Sequence, residues 1–147
     1  MGEVLEYSYS QFRRDMENLP PLPPVDGILA IARGGLTLAH HLAEKLEIKR
    51  VWVVGVSSYH YRRKSSTPQL LSPLSLEPGI NRILIVDDIA DSGETLEVIT
   101  RELSRRYPSL KIFTFTLFFK PGSRYQPDYY LHTTLKWVSF FWELGEI

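Results

Sequence analysis

The segment Ile-Leu-Ile-Val-Asp-Asp-Ile-Ala-Asp-Ser-Gly-Glu-Thr at positions 83–95 constrains the fold of this chain more than any other. Its four leading apolar residues run into Asp87 and Asp88, and Asp91 follows three residues later. A short apolar run bounded in this way is typical of a buried parallel strand, and the Ser-Gly-Glu-Thr stretch is expected to open a helix. The sequence therefore predicts an α/β fold with three carboxylates where a strand ends.

The junction between such a strand and the next helix is suited to ligand binding. Ligands of open α/β sheets bind at the carboxyl ends of the strands, and a helix start offers free N–H groups and a positive dipole end to a phosphate. Carboxylates on the other side fit hydroxyls or Mg²⁺, so a ribose 5-phosphate matches both halves. A generic strand-turn-helix is the alternative, but it does not explain why three mutually repelling carboxylates crowd one place.

The length and amino-acid composition of the chain exclude several kinds of partner and of chemical site. The chain has 147 residues, enough for one domain with a single core, and we expect residues 1–147 to form that domain. Seventeen residues of each charge sign give no net charge, which argues against nucleic acid or a membrane surface as the main partner. The absence of cysteine excludes disulfides, thiolate metal sites and a cysteine nucleophile, and a cytoplasmic location fits.

The remaining pattern predicts alternating strands and helices. The expected elements are a helix from Ser8 to about Asn18, opened by a capping box, strands at 27–32, 51–56, 83–86, 111–119 and 129–131, and helices at 36–46 and 94–107. Residues 57–79 have neither periodicity, and a long irregular insertion in a compact domain is usually functional or disordered. We expect a twisted, mainly parallel sheet flanked by helices.

Segment 83–95 resembles the phosphoribosyl-pyrophosphate (PRPP) signature of type I phosphoribosyltransferases, in which a hydrophobic strand leads to two acidic residues, an apolar pair, a third acidic residue and Ser/Thr-Gly-x-Thr/Ser. Glu94 departs from it, since family members usually carry a small, polar or basic residue there. The resemblance implies that Asp87 and Asp88 hold ribose hydroxyls and Mg²⁺ and that Asp91 is the general base. The implied ribose and 5-phosphate site comprises Asp87, Asp88, Ala90, Asp91, Ser92, Gly93, Glu94 and Thr95.

Arg33, Gly34 and Gly35 follow the first predicted buried strand. Two glycines let the backbone approach a ligand closely, although an ordinary strand-to-helix turn is the alternative. In the family that the signature resembles, the corresponding loop holds the pyrophosphate of PRPP, often with a non-proline cis bond at its first peptide. That bond would join Ala32 to Arg33 here.

Ser58 and Tyr59 resemble the start of the mobile loop of 6-oxopurine phosphoribosyltransferases, which places such a loop at about residues 57–79. Closure of that loop excludes water, which would otherwise hydrolyse an activated ribose. The resemblance adds Ser58 and Tyr59 to the pyrophosphate site. The nearby cationic residues are candidates for pyrophosphate contacts or form a solvated basic turn; they are Arg62, Arg63 and Lys64.

The string Phe-Phe-Lys-Pro-Gly-Ser-Arg at 118–124 resembles the Phe-Ala-Lys-Pro-Ala-Gly-Arg type of bacterial xanthine-guanine phosphoribosyltransferases. This implies that Lys120 donates to the purine 6-oxygen, that Trp137 stacks on the base and that the Val138 backbone pairs with the base edge, within a small hood at about 120–147. A solvated strand end for Lys120 and a core or interface aromatic for Trp137 are the alternatives. An ammonium group only donates, so it favours a 6-oxygen over a 6-amino group.

The resemblance as a whole implies a type I phosphoribosyltransferase fold and transfer of 5-phosphoribosyl from PRPP to N9 of guanine, xanthine or hypoxanthine, in purine salvage. Mg²⁺ is the implied cofactor, PRPP and a purine base are the implied partners, and a homodimer or homotetramer is expected. Two alternatives stay open: a non-catalytic PRPP- or nucleotide-binding regulator of the same fold, and an enzyme for orotate, uracil or adenine. Lys120 with Trp137 favours the oxopurines.

Overall fold

The computed structural model describes residues 3–57 and 68–145. Strands and helices alternate along most of these residues, as the sequence pattern predicts. The elements are β1 (Val4–Tyr7), α1 (Tyr9–Glu17), β2 (Gly27–Ala32), α2 (Leu36–Lys45), β3 (Val51–Ser57), β4 (Gln69–Leu70), β5 (Arg82–Ala90), α3 (Glu94–Arg106), β6 (Lys111–Phe119), β7 (Tyr129–Thr133) and β8 (Trp137–Phe140).

Within the described residues, six strands form one sheet in the order β4-β3-β2-β5-β6-β7. All neighbours in it run parallel except β3 and β4, which confirms the predicted mainly parallel sheet. β5 lies between β2 and β6, so the acidic segment occupies the middle of the sheet. The two remaining strands, β1 and β8, pair in parallel with each other and bring the N-terminal strand to the segment that contains Trp137.

The central strands bury side chains on both faces. In β2, Ile28 and Ala30 belong to the core formed with α1 and α2, while Leu29 and Ile31 belong to the core formed with α3. This alternation follows from the two-residue period of a strand and explains why β2 is apolar throughout. Each fully buried Leu or Ile contributes about 2 kcal/mol of hydrophobic free energy, so the apolar layers on both faces stabilise the sheet beneath its carboxyl edge.

Local sequence rules place the helices. Ser8 caps α1 by accepting a hydrogen bond from the backbone N–H of Gln11, whose side chain accepts one from the N–H of Ser8, so the predicted capping box is confirmed. α3 buries Leu96, Ile99 and Leu103 on the predicted face. No helix in the described part of the chain is long and apolar enough to span a bilayer.

The structure corrects the expected extent of the central strand. The sequence predicts that this strand ends at residue 86 and that the acidic pair follows it, but β5 runs on to Ala90, so Asp87 and Asp88 lie within the strand. Asp is unfavourable in strands by propensity, yet pairing with β6 continues through Asp87 opposite Thr116. The sequence pattern also does not predict β1, β4 or β8, and β4 falls within the stretch at 57–79 that shows no periodicity.

Candidate active site

Asp87 and Asp88 stand near the carboxyl end of β5 and form the acidic centre of the site. The backbone N–H of Asp88 donates to Asp87 Oδ1 at 2.8 Å, and that of Ile89 donates to Asp88 Oδ1 at 2.7 Å. Burial, with the added repulsion of Asp88, raises the pKa of Asp87 well above its ordinary value. Burial also raises the pKa of Asp88. A pair that resists double ionisation in this way is stabilised by hydroxyl donors or by a cation.

The predicted loop Arg33–Gly34–Gly35 lies directly beside this acidic pair. A Cβ atom on Gly34 would come within 2.4 Å of Asp88 Oδ2, and one on Gly35 would come within 2.5 Å of the Val86 carbonyl oxygen. Only glycine therefore lets this loop pack so closely against β5. The expected cis peptide bond between Ala32 and Arg33 is present, and the Arg33 side chain is exposed to solvent.

A cavity of about 600 Å³ opens between this loop and the last described residues of the chain. Arg33, Gly34 and Asp88 line one side, and Trp142 and Glu143 line the other. The negative charge of Glu143 contributes to the raised pKa of Asp88, and Glu143 Oε1 accepts a hydrogen bond from the Phe140 N–H at 2.8 Å. Glu143 has no role predicted from the sequence, and the signal that could have identified it is its position directly after Trp142 within the segment expected to form the hood.

The turn after β5 carries the predicted phosphate-binding residues. Ala90 ends β5, Ser92 and Gly93 form the turn, and Glu94 and Thr95 open α3. Gly93 is the N-cap residue with φ of 87°, and because glycine has no side chain it cannot itself cap the first turn of α3. The Glu94 N–H lies 3.2 Å from Ser92 Oγ. Such a turn presents backbone donors to an anion.

Lys120, Asp91 and Trp137 come together at the carboxyl edge of the sheet. Lys120 follows β6, and its Nζ lies 3.3 Å from Asp91 Oδ1 and 5.9 Å from the centre of the Trp137 ring. The Trp137 side chain is 64% exposed, so its ring is free to stack on a ligand. The Val138 side chain is buried in the core, which leaves only its backbone for a ligand to meet.

The turn after Lys120 packs on the turn after β5, a contact that the sequence analysis does not predict. The N–H of Arg124 donates to the Ser92 carbonyl at 2.9 Å. Arg124 NH1 lies 3.1 Å from Glu94 Oε1, and Arg124 Nε lies 3.5 Å from Glu97 Oε1. The carboxylate that departs from the family pattern therefore has a cationic partner.

The expected loop contacts at residues 58–67 lie outside the described residues. This applies to the predicted pyrophosphate contacts of Ser58 and Tyr59 and to the three cationic candidates Arg62, Arg63 and Lys64. A further group with metal-ligating atoms, His40, His41 and Glu44, has those atoms within 4.8 Å of one another on α2. His41 and Glu44 line a groove against α1 and not the cavity that contains Asp88.

Known proteins match the chain over most of its length. A family model described as phosphoribosyl transferase domain matches residues 23–146. A xanthine-guanine phosphoribosyltransferase of Nitratidesulfovibrio vulgaris is 29% identical over 96% of this chain and 85% of that protein. One from Cereibacter sphaeroides is 30% identical over 80% of this chain and 69% of that protein.

Solved structures agree with this assignment. A Helicobacter pylori xanthine-guanine-hypoxanthine phosphoribosyltransferase superposes with a TM-score of 0.88 at 28% identity, covering 97% of this chain and 95% of that one. A purine phosphoribosyltransferase from Pyrococcus horikoshii gives a TM-score of 0.80 at 30% identity, covering 98% and 97%. The predicted type I phosphoribosyltransferase fold is thereby confirmed, and the chain belongs to the phosphoribosyl transferase domain family.

Proposed function

We propose that this protein transfers the 5-phosphoribosyl group of PRPP to N9 of a 6-oxopurine and releases pyrophosphate, as a step of purine salvage. The observation that carries the proposal is the meeting of Lys120, Asp91 and Trp137 next to the acidic pair of β5. Together they offer a donor, an acceptor and an aromatic face to one planar base. The names of the relatives, which specify xanthine, guanine and hypoxanthine, support the same substrate class.

In this proposal PRPP binds along the carboxyl edge of the sheet. The 5-phosphate accepts hydrogen bonds from the N–H groups and hydroxyls of the turn after β5, namely Ala90, Asp91, Ser92, Gly93, Glu94 and Thr95. The ribose hydroxyls donate to Asp87 and Asp88, which relieves the repulsion between two crowded carboxylates. Arg33, Gly34 and Gly35 hold the pyrophosphate, with Ser58 and Tyr59 completing that subsite.

Mg²⁺ is the proposed cofactor, and the donors present fit it. Asp87 and Asp88 are the proposed ligands, and Glu143 lines the same cavity as Asp88. Mg²⁺ prefers oxygen ligands and keeps several waters, so a few carboxylates together with ligand oxygens suit it. When bound, it would stabilise negative charge on the pyrophosphate.

The chain's own groups account for the movement of charge and proton. The bond from ribose C1′ to the pyrophosphate oxygen breaks with its electron pair leaving on pyrophosphate, and a bond from C1′ to purine N9 forms. Arg33 compensates the charge that grows on the leaving group. Asp91 accepts the proton that the purine loses, while Lys120 donates to the 6-oxygen and Trp137 stacks on the ring.

The test is a pyrophosphate-release assay with PRPP and Mg²⁺ against guanine, xanthine, hypoxanthine, adenine, orotate and uracil. We expect turnover with one or more of the three 6-oxopurines, loss of turnover in EDTA and its return with added Mg²⁺. Turnover with only adenine, orotate or uracil would show that the protein acts on a base other than a 6-oxopurine. Silence with every base, together with measurable PRPP binding, would support a regulatory role.

The proposed function also includes the domain organisation, the oligomeric state and the location of the protein. Residues 1–147 would act as one domain, with a mobile loop at 57–79 and a base-binding hood at 120–147. A homodimer or homotetramer, measurable by light scattering, and a cytoplasmic location would fit a salvage enzyme.

A further inference from the structure

The segment that carries Lys120 is fixed to the turn after β5 at both of its ends. The N–H of Lys120 donates to the Ala90 carbonyl at 3.0 Å, and the N–H of Arg124 donates to the Ser92 carbonyl at 2.9 Å. A Cβ atom on Gly93 would come within 2.6 Å of the Tyr125 backbone nitrogen and 3.1 Å of the Arg124 backbone nitrogen, so the two backbones approach each other closely. A displacement of either turn therefore displaces the other.

Three partly exposed charged side chains form ion pairs across this contact. Arg124 reaches across to α3 and pairs with Glu94 at 3.1 Å and with Glu97 at 3.5 Å. These two carboxylates lie in the first turn of α3, next to the turn proposed to bind the 5-phosphate. We call Glu94, Glu97 and Arg124 the clamp.

We propose that the clamp positions Lys120 for the purine and at the same time shields the 5-phosphate from Glu94, so that one ion-pair cluster serves both subsites. This inference rests on the proposed function. The clamp residues are positioning residues, since the ion pairs that define the clamp join their side chains to one another. The geometry explains how the chain accommodates a carboxylate where phosphate binding would otherwise be weakened by like charge.

The positioning role and the shielding role can be separated experimentally, because removing the charge of Glu94 affects them in opposite ways. It loosens the clamp that positions Lys120, but it also removes a negative charge beside the 5-phosphate. Removing Arg124 frees Lys120 and also leaves two uncompensated carboxylates beside the phosphate, so both substrates should bind more weakly. Replacing Glu94 by Gln loosens the clamp but removes a negative charge, so only the purine should suffer. Arg124→Lys keeps the charge without the planar fork that meets two carboxylates, so it should restore PRPP binding more than purine binding.

The experiment measures KM for the preferred 6-oxopurine, KM for PRPP, kcat and thermal unfolding in these variants. For Arg124→Ala we expect both KM values to rise about three- to tenfold, the range given by one or two partly exposed ion pairs. For Glu94→Gln we expect a rise of about threefold in the purine KM and no rise in the PRPP KM. The matched control is Arg105→Ala, which breaks the Arg105–Glu102 pair on the same helix and should change neither KM.

The outcomes separate the clamp from the function on which it rests. A purine KM in Arg124→Ala and Glu94→Gln equal to that of Arg105→Ala, in an enzyme that turns over normally, would overturn the clamp alone. Parallel rises of both KM values in Glu94→Gln would overturn the shielding role. A wild-type protein that neither turns over purines nor binds guanosine 5′-monophosphate would overturn the proposed function, and the clamp's role in positioning for a purine with it.

Discussion

The ammonium of Lys120 and the carboxylate of Asp91 form an ion pair at 3.3 Å at the carboxyl edge of the sheet. Two groups so close can meet neighbouring atoms on one edge of a purine, because the 6-oxygen and N7 of a 6-oxopurine lie side by side. A 6-oxopurine compensates each half, because its 6-oxygen accepts from the ammonium and its ring N–H donates to the carboxylate. The pair thus holds both side chains in place until the base takes over its hydrogen bonds.

Asp91→Asn tests the carboxylate half of this pair. An amide cannot take up the purine proton, so we expect kcat to fall by at least about a hundredfold, the usual contribution of a general base. PRPP binding should survive, because the backbone donors of the turn remain. Pyrophosphate release measures kcat, and calorimetry measures the PRPP dissociation constant. Asp91→Glu keeps a carboxylate and should retain more activity than Asn; full turnover in Asp91→Asn would remove Asp91 from the base role.

Lys120→Met tests the ammonium half. Methionine preserves an unbranched apolar stem but cannot donate, so kcat/KM for the preferred 6-oxopurine should fall about ten- to hundredfold, the value of a charged hydrogen bond. The PRPP dissociation constant should stay nearly unchanged. Lys136→Met is the matched control, because Lys136 pairs with Glu3 at the surface and not with Asp91. An equal loss of oxopurine use and PRPP binding would argue against base recognition by Lys120.

Sequence reasoning succeeds where one segment contains its own signal. The apolar run of β2 predicts both its bounds and its burial, because a strand covered on two faces needs no polar residue. β1 has only four residues with little periodicity, and its pairing with Trp137–Phe140 depends on the tertiary fold. The extension of β5 through Asp87 also depends on the tertiary fold, because pairing with β6 overrides the low strand propensity of Asp.

Some residues of the candidate site can likewise be identified from a local sequence signal, and others cannot. Asp91, Lys120 and Trp137 are identifiable from local strings that resemble a family, and the structure brings them together. The pairing of Glu94 with Arg124 has no local signal, because the two residues meet only after β6 returns to the carboxyl edge beside β5. The departure of Glu94 from the family pattern therefore has a compensating partner that the local sequence does not identify.

The acidic pair predicts an unusual pH dependence of stability. Because burial and Asp88 raise the pKa of Asp87, the folded protein keeps a proton that the unfolded chain loses above about pH 3.8. The folded state then binds more protons, so this carboxyl makes the free energy of unfolding fall as the pH rises. Asp87→Asn keeps a donor toward Asp88 without the charge. We expect a higher melting temperature than wild type at pH 8, a smaller difference at pH 4, and loss of turnover.

Asp26→Asn provides the opposite case. The backbone N–H groups of Asn81 and Arg82 donate to Asp26 Oδ2 and lower the pKa of Asp26. Its stabilisation is present above pH 3.8 and is lost as the pH falls, so Asp26→Asn should lower the melting temperature at pH 8. Thermal unfolding of both variants from below pH 3 to pH 8 tests these two opposite pH dependences. A melting temperature for Asp87→Asn below that of wild type at pH 8 would contradict the raised pKa assigned to Asp87.

Gly93→Ala tests the contact between the two turns that carry the proposed phosphate and base residues. Its φ of 87° alone costs an alanine about 1–2 kcal/mol, and its Cβ would meet Ser123 Oγ and the Tyr125 N–H within 2.6 Å. Gly122→Ala has a similar φ of 97° with nothing within 4 Å, so it reports the backbone cost without the clash. Both variants should melt at lower temperature, but only Gly93→Ala should also raise KM for PRPP and for the purine. Matching kinetic constants in the two variants would mean that the turns do not depend on each other.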